Sequence, residues 1–495
     1  MQRAALTERL TGPQYSAMNV HTHNLERGAP LQDDHGDALR AIVGPKGVIA
    51  DDALESRLVE WRGKWRGLTP LALAPANAEE TARIIAFCAT HRIAITPQGG
   101  NTGLVGAQIP TNGEILISMH RMNRLRSVDP LDGTMTVDAG VTLAAAQDAA
   151  EAVDRLFPLS IGSEGTCQIG GVISSNAGGV NVLRYGNTRD LVLGLEAVTP
   201  TGDLWNGLKR LRKDNTGYDL KQLLIGGEGT LGVITGATLK LFPRPADQLT
   251  FLAGMSSAEQ ALSLLALSQE MSGGQVTSFE LISSSSYDLC VRNITGVRHA
   301  LSDRHAWYCL VELSSGQKGT LRSLAEAMLE KAFDTDLIAD ATIAENETQS
   351  NDLWRMRHAL SEAMKPEGAQ AKHDVSAPLS AVPTFLARAD KNVEAVCPGV
   401  RVIAFGHMGD GNVHYDVLKP EGMPDDDFKP FLRPIEEAVY EAIDAVDGSI
   451  SAEHGVGLAR KDDLAARKPK AAMDMMRAIK AALDPAGIMN PGKML

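Results

Sequence analysis

Apolar and polar positions follow two rhythms along the chain, and they alternate from Pro70 onward. LALAP (71–75) is an apolar run of strand length. NAEETARIIAFCATH (77–91) spaces its apolar residues at helical intervals behind a capping Asn77, and IAITP (93–97) is again strand-like. The same pattern predicts strands over 115–119 and 134–140 and a helix over 142–153, with short helical pieces at 37–43 and 51–59 before them. Between 158 and 243 short strands sit among many glycines: 191–203 carries a turn at Thr201-Gly202, and 233–245 ends at Pro243 and Pro245. Two prolines cannot continue a sheet ladder, so they mark a boundary. From 246 the glycines thin out and a helix, strand, strand, helix order follows in AEQALSLLALSQEM, VTSFELIS, WYCLVELSS and GTLRSLAEAMLEKAF, before a last helix over 470–484. Strands and helices mixed in this way predict an α+β architecture divided into an N-terminal extension (1–50), a first domain (51–245), a second (246–470) and a C-terminal segment (471–495).

Composition narrows the function classes. At 495 residues the chain is long enough for more than one core. Its 48 Lys and Arg against 61 Asp and Glu give a net charge of -13, and no strong basic patch is expected against that background, which argues against a nucleic-acid partner. A few convergent cations can still hold a small anion in one pocket. Cys88, Cys167, Cys290, Cys309 and Cys397 are scattered without a C-x-x-C, so neither a disulfide framework nor a cysteine zinc site is expected, and a reducing cytoplasmic location fits. The start MQRAALTERLTGPQYS lacks a signal-peptide core, and no stretch supplies about 18 apolar residues without a charge, so no transmembrane helix is expected.

Glycine clusters carry the first chemical signal. In PQGGNTGLVG (97–106), Gly99, Gly100 and Gly103 allow backbone N–H groups to converge on an anion, although neither a dinucleotide fingerprint nor a Walker loop is present. Alone, such a loop reads equally well as a plain turn. GTCQIGGVISSNAGG (165–179) and GGEGTLGVIT (226–235) repeat the signal, and three such loops beside strands point to a long nucleotide cofactor lying against the backbone.

A second constellation is GHMGDGNVH with His407 and His414, followed by SAEHGVG with Glu453 and His454. Two imidazoles across a glycine turn and one carboxylate form a three-donor set with open positions, as a catalytic Zn²⁺ or similar divalent ion requires. A lone His would more often be structural. In WRMRHALSEAMKPEGAQAKHD (354–374), Arg357 and Ser361 share a face if the segment is one helix, and Lys372 comes from the strand after it. Taken alone, such cations belong on a solvated surface.

PQGGNTGLVG, the IGG and NAGG pairs, RYGNTRDLVLGLEAVTPTGD, KDNTGYDLKQLLIGGEGTLGVIT and LDPAGIMNPGKML together resemble the FAD-dependent D-2-hydroxy-acid dehydrogenases of the vanillyl-alcohol-oxidase (PCMH-type) flavoprotein fold, most nearly the branch acting on D-2-hydroxyglutarate. The resemblance runs from about residue 45 to the C-terminus. It implies a two-subdomain FAD-binding domain, a cap domain and a C-terminal return to the flavin. It places FAD against Pro97, Gly99, Gly100, Asn101, Thr102, Gly103, Gly165, Thr166, Gly170, Gly171, Ser174, Asn176, Gly178, Gly179, Glu228, Gly232, Val233, Ile234 and Asn490. Some relatives attach the flavin to a His where this chain has Asn101, so non-covalent FAD is expected. His407, His414 and Glu453 fall on the metal ligands, His454 on the catalytic base, and Arg357, Ser361 and Lys372 on a clamp for a distal carboxylate. Asp416 stands where an Asn holds substrate, which bears on the choice of hydroxy acid. The implied reaction is oxidation of D-2-hydroxyglutarate or D-malate, with D-lactate or glycolate as the alternative. An electron-transfer flavoprotein, quinone or dye is the expected acceptor, and a homodimer the expected assembly.

Overall fold

A computed structural model describes residues 31–495. The part of the expected N-terminal extension before residue 31 lies outside the described residues. The chain builds a four-stranded and a five-stranded sheet first, with a two-stranded ladder of 155–156 and 242–243 that takes in Pro243 at its end, and one large sheet afterwards. Residues 48–49, 72–73, 115–118 and 95–98 form a four-stranded sheet in that order, parallel except at its short first edge. Helix Ala78–His91 connects two of these strands. Asn77 caps it by accepting from the Glu80 N–H at 2.8 Å, and Ile84, Ile85 and Cys88 are buried on one face. A five-stranded antiparallel sheet follows in the order 125–129, 134–138, 233–240, 192–198, 204–207. Helix Leu143–Glu151, capped by Thr142, packs on it through Leu143, Ala146 and Ala150.

After Pro243 and Pro245 the chain forms a seven-stranded sheet, antiparallel throughout, in the order 340–343, 247–255, 307–315, 276–283, 401–407, 412–418, 370–376. Side chains alternate across a strand, so one register decides both faces. Phe251, Phe279, Leu281, Val311, Val413, Tyr415 and Val417 lie on one face with the core helices Ala258–Ser272, Leu321–Asp334, Val382–Val396 and Leu432–Asp444. Truncating one of the buried phenylalanines costs about 3–5 kcal/mol. Pairing of Glu280 with His407, Asp374 with His414 and Lys372 with Asp416 collects the polar side chains on the opposite face.

The last helix, Lys470–Leu483, leads a tail back to the first sheet. Met489 bridges Ile95 in parallel, and the Lys493 ammonium meets Glu114 at 2.7 Å with both side chains fully buried. Among the described residues no helix is long and apolar enough to cross a membrane, and all five cysteines are buried free thiols. The strands at 48–49, 125–129, 155–156, 204–207, 247–255, 340–343, 401–407 and 412–418 carry no expectation from the sequence. Those at 401–407 and 412–418 are nearly all buried and so lack the polar alternation that signals a strand.

Glu312 shows what this sheet does to a charge. It sits between Thr250 and Ser278 on the polar face, accepting from the Trp354 indole N–H at 3.1 Å, and burial pushes its carboxyl up to about 7. A raised folded-state value means that Glu312 favours folding in its protonated form, so stability falls as pH rises from about 4.5 toward 7. Glu312→Gln keeps the acceptor for Trp354 without titrating. In denaturant titrations the variant is expected to be more stable than wild type by about 1–2 kcal/mol at pH 8, and level with it at pH 4; an equal gap at both pH values contradicts the assignment.

Candidate active site

The hairpin 401–418 places the two site histidines. Strand Arg401–His407 ends at the first, a 3₁₀ turn at Met408–Asp410 and Gly411 at φ +81° reverse the chain, and strand Asn412–Leu418 carries the second. A Cβ on Gly411 would stand 2.2 Å from the Ala377 carbonyl, so the tight turn needs glycine there. The His407 and His414 rings lie 5.6 Å apart between centroids. Glu453 arrives on the loop after Ser449, and His407, His414 and Glu453 each present one donor atom within 4.8 Å of the others. Two neutral-capable imidazoles and a carboxylate at that separation fit a three-coordinate divalent site with open positions.

A second grouping, Asp374 with Glu453 and His454, is equally compact but chemically different. Asp374 Oδ2 accepts from the backbone N–H groups of Glu453 and His454 at 3.0 Å each and lies 3.2 Å from His454 Nδ1, while Oδ1 accepts from Asn412 Nδ2 at 2.9 Å. Both oxygens are therefore committed, and Asp374 fixes the loop that carries Glu453 and His454, with His454 Nε2 3.9 Å from Glu453 Oε1. Burial opposes ionisation of Asp374, but His454, His414, Arg460 and the Glu453 N–H outweigh it and hold the carboxyl below the usual carboxylate range. Burial likewise holds His414 in its neutral form, well below the ordinary imidazole value.

Glu280 performs the same service on the other side. It is fully buried, with Oε1 2.6 Å from His407 Nδ1 and Oε2 accepting from Arg357 Nε at 2.5 Å. Burial would raise its carboxyl, yet Arg357 and His407 bring it down to about 2; burial would lower His407, yet Glu280 lifts it to about 9. Neither Glu280 nor Asp374 is among the residues expected from the sequence. A partial signal exists for Glu280, the one acidic residue in the strand VTSFELIS, while Asp374 lies in the polar strand QAKHDVS, which carries none.

The expected clamp is changed in two respects. Helix Glu347–His358 stops before Ser361, which lies beyond an interruption at Ala359 and is exposed, so Arg357 and Ser361 do not share one helical face. Arg357 is buried with its guanidinium 5.0 Å over the Phe405 ring, and its Nη2 is a buried donor without a partner. Lys372 lies opposite Asp416, Nζ to Oδ2 3.8 Å, and Asp416 is pushed up to about 6 by burial, against the opposing pull of Lys372 and the His373 N–H.

The glycine loops meet one another backbone to backbone. A Cβ on Gly100 would stand 2.0 Å from the Thr166 carbonyl, and one on Gly99 would touch Gln168 and Gly171. Asn101, at φ +56°, donates to the carbonyls of Ser56 and Val59, while Thr102 and Gly103 continue the loop toward Gln108, whose side chain approaches Gly103. Gly165 and Gly171 face open space, Thr166 is exposed, and Gly170 packs on Ala139. Buried oxygens on Gln98, Gln168 and Asn490 have no partner. Open glycine backbone beside orphaned polar atoms is a cradle whose chemistry fits a nucleotide cofactor.

Other expected cofactor residues serve the frame. The Ser174 hydroxyl donates to the Gly170 carbonyl, and Asn176 at φ +53° ends helix Ile169–Ser175 and accepts from the Arg189 N–H. Gly229 closes on Pro97. Val233 and Ile234, after Gly232 at φ +152°, are buried strand residues paired with Val198 and Ala197, so their side chains are committed to the core. The Glu228 carboxylate accepts from the N–H groups of Val456 and Gly457 at 2.7 Å each, and the Asn490 amide donates to the Glu228 carbonyl. Glu228 thus anchors the His454 loop. Gly178 and Gly179 touch Glu453, whose Oε2 accepts from the Gly179 N–H at 3.1 Å.

Asp374→Asn replaces one saturated acceptor with a donor facing donors. The variant is expected to lose about 2–4 kcal/mol of stability and to exchange the amides of 451–457 faster than wild type. Unchanged exchange there would show that Asp374 does not hold the loop.

Comparison with known proteins agrees with this geometry. Residues 70–207 match the FAD binding domain and residues 244–494 the C-terminal domain of FAD linked oxidases. The chain is 35% identical over 458 residues to an Arabidopsis thaliana protein named D-2-hydroxyglutarate dehydrogenase, mitochondrial, covering 92% of this chain and 80% of the relative. It is 34% identical to a Xanthomonas citri pv. viticola protein named D-2-hydroxyglutarate dehydrogenase (88% and 91% covered), and 34% identical to a Schizosaccharomyces pombe protein named provisionally as a mitochondrial D-lactate dehydrogenase (95% and 92%). In fold it is similar to p-cresol methylhydroxylase, with a TM-score of 0.73 at 15% identity over 93% of this chain and 96% of that one. The two matched domains, the coverage of the relatives and the shared α+β fold establish that this chain belongs to the FAD-linked oxidase family.

Proposed function

We propose that the protein is an FAD- and divalent-metal-dependent dehydrogenase that oxidises D-2-hydroxyglutarate to the 2-oxo acid. The observation that carries this reading is the Gly179 N–H bond to Glu453, which joins the glycine cradle of the FAD-binding domain to the three-donor set of the cap sheet. A cofactor that takes a hydride and a group that binds a hydroxyl must be neighbours, and here their two cradles share one hydrogen bond. The names of the Arabidopsis and Xanthomonas relatives supply the substrate.

Bound FAD would supply the two-electron acceptor, and a divalent ion held by His407, His414 and Glu453 would acidify the substrate hydroxyl. The chain's own residues do the rest. His454, with Nδ1 on Asp374, presents Nε2 to take the hydroxyl proton. Arg357 offers its unpartnered Nη2 to a carboxylate. Asn101 spends its side chain on Ser56 and Val59, which agrees with a non-covalent flavin. An acceptor such as a carrier protein or a quinone would then take the electrons from reduced FAD.

A second reading has a specific basis. With Arg357 paired to Glu280 and Lys372 facing Asp416, each cation of the clamp already has an acidic neighbour, which suits a monocarboxylate such as D-lactate, the substrate in the Schizosaccharomyces relative's name. A dye-coupled panel of D- and L-hydroxy acids separates the two. D-2-hydroxyglutarate is expected to give the highest kcat/KM, EDTA to remove activity and Zn²⁺ to restore it. Arg357→Ala is expected to raise KM for D-2-hydroxyglutarate about 10- to 100-fold more than it raises KM for D-lactate. A higher kcat/KM for D-lactate would favour the second reading, and activity indifferent to EDTA would remove the metal from either.

A further inference from the structure

Glu280 touches both halves of the site. It comes from strand Val276–Ser283, whose Phe279 and Leu281 belong to one apolar face, so the alternation turns Glu280 to the opposite face, beside the second apolar cluster that holds Ile282 and Phe405. Pairing with the neighbouring strand sets it beside His407, and the last turn of helix Glu347–His358 brings Arg357 down on it. Full burial leaves each oxygen one protein donor: His407 Nδ1 at 2.6 Å and Arg357 Nε at 2.5 Å. These two contacts decide what their partners can do. With Nδ1 donating, His407 has Nε2 as its one nitrogen for a metal. With Nε committed, Arg357 keeps its terminal nitrogens for an anion, and its Nη2 is the buried donor that has no partner. Stacking continues the link, since the Arg357 guanidinium lies over Phe405 and the Phe405 ring lies 5.1 Å from that of His414.

We propose that Glu280 is a positioning residue that sets His407 for the metal and Arg357 for the substrate carboxylate with one carboxylate, so that both are oriented together. The inference rests on the metal reading above. It does not require Glu280 to touch metal, flavin or substrate.

Glutamine is the informative replacement. It has the shape of glutamate but one acceptor and one donor in place of two acceptors, so it can satisfy His407 Nδ1–H or Arg357 Nε–H but not both. The other partner must rotate away or face a like donor. The experiment is chelator-competition titration of Zn²⁺ into the FAD-loaded full chain, wild type against Glu280→Gln, alongside steady-state kinetics. The expected result is Zn²⁺ affinity lower by about 10- to 100-fold, with KM for a dicarboxylate raised more than kcat is lowered. Loss of stability alone, with Zn²⁺ affinity and KM within about twofold of wild type, would overturn the proposal. If Glu280→Gln does not fold, Glu280→Asp, too short to reach both partners, goes through the same titration and kinetics, with the same loss expected and the same unchanged values overturning the proposal. Wild type that binds no Zn²⁺ would instead overturn the metal reading, and this inference with it.

Discussion

A carboxylate removed from water must have its oxygens hydrogen-bonded or it will not stay ionised, and the candidate site of this protein is organised around two that meet this demand. Glu280 satisfies it with His407 and Arg357, and Asp374 with His454, Asn412 and the backbone of Glu453 and His454. Because each acceptor is used, each donor is fixed as well. Two of the three site histidines acquire a defined orientation from these contacts, and the cost of burying the charges is offset by the cations around them. Removing one partner would leave the other buried and unpaired, which makes the arrangement rigid in a way that a hydrated cluster would not be.

That rigidity extends across the boundary between the two matched domains. Glu453 reaches Gly179 of the NAGG loop, Glu228 of the GGEG loop holds the amides of Val456 and Gly457, and Asn490 of the tail reaches back to Glu228. The loop bearing His454 is thus tied by carboxylates from both sides. Several glycines expected to lie along a cofactor serve these close approaches as well: Gly100 against Thr166 and Gly179 against Ser160 would each bring a Cβ to 2.0 Å of a carbonyl oxygen. Within the net charge of -13, the buried Glu280 is matched locally by Arg357 and His407.

The elements that can be read from the sequence are those whose pattern is local. Helix Ala78–His91 has its cap and apolar stripe within one short segment, and strands 276–283 and 307–315 match their expected limits because apolar runs meet abrupt ends. Strands 401–407 and 412–418 are hidden because burial on both faces erases alternation, and their glycine turn reads as a binding loop. His407, His414 and Glu453 are legible as a donor set because histidines are few and two share one turn. Glu280 and Asp374 are not, since their partners lie 127 and 80 residues away at the farthest, a relation that only strand register creates. The shared face of Arg357 and Ser361 fails for a local reason: the helix ends at His358.

The most direct measurement is a crystal structure of the FAD- and Zn²⁺-loaded protein, with anomalous scattering recorded on both sides of the zinc edge. One strong peak is predicted, bonded to His407 Nε2, His414 and Glu453, with Glu280 still on His407 Nδ1 and Arg357, and Asp374 still on His454. A peak on Asp374 and His454, or none near His407, would contradict this arrangement.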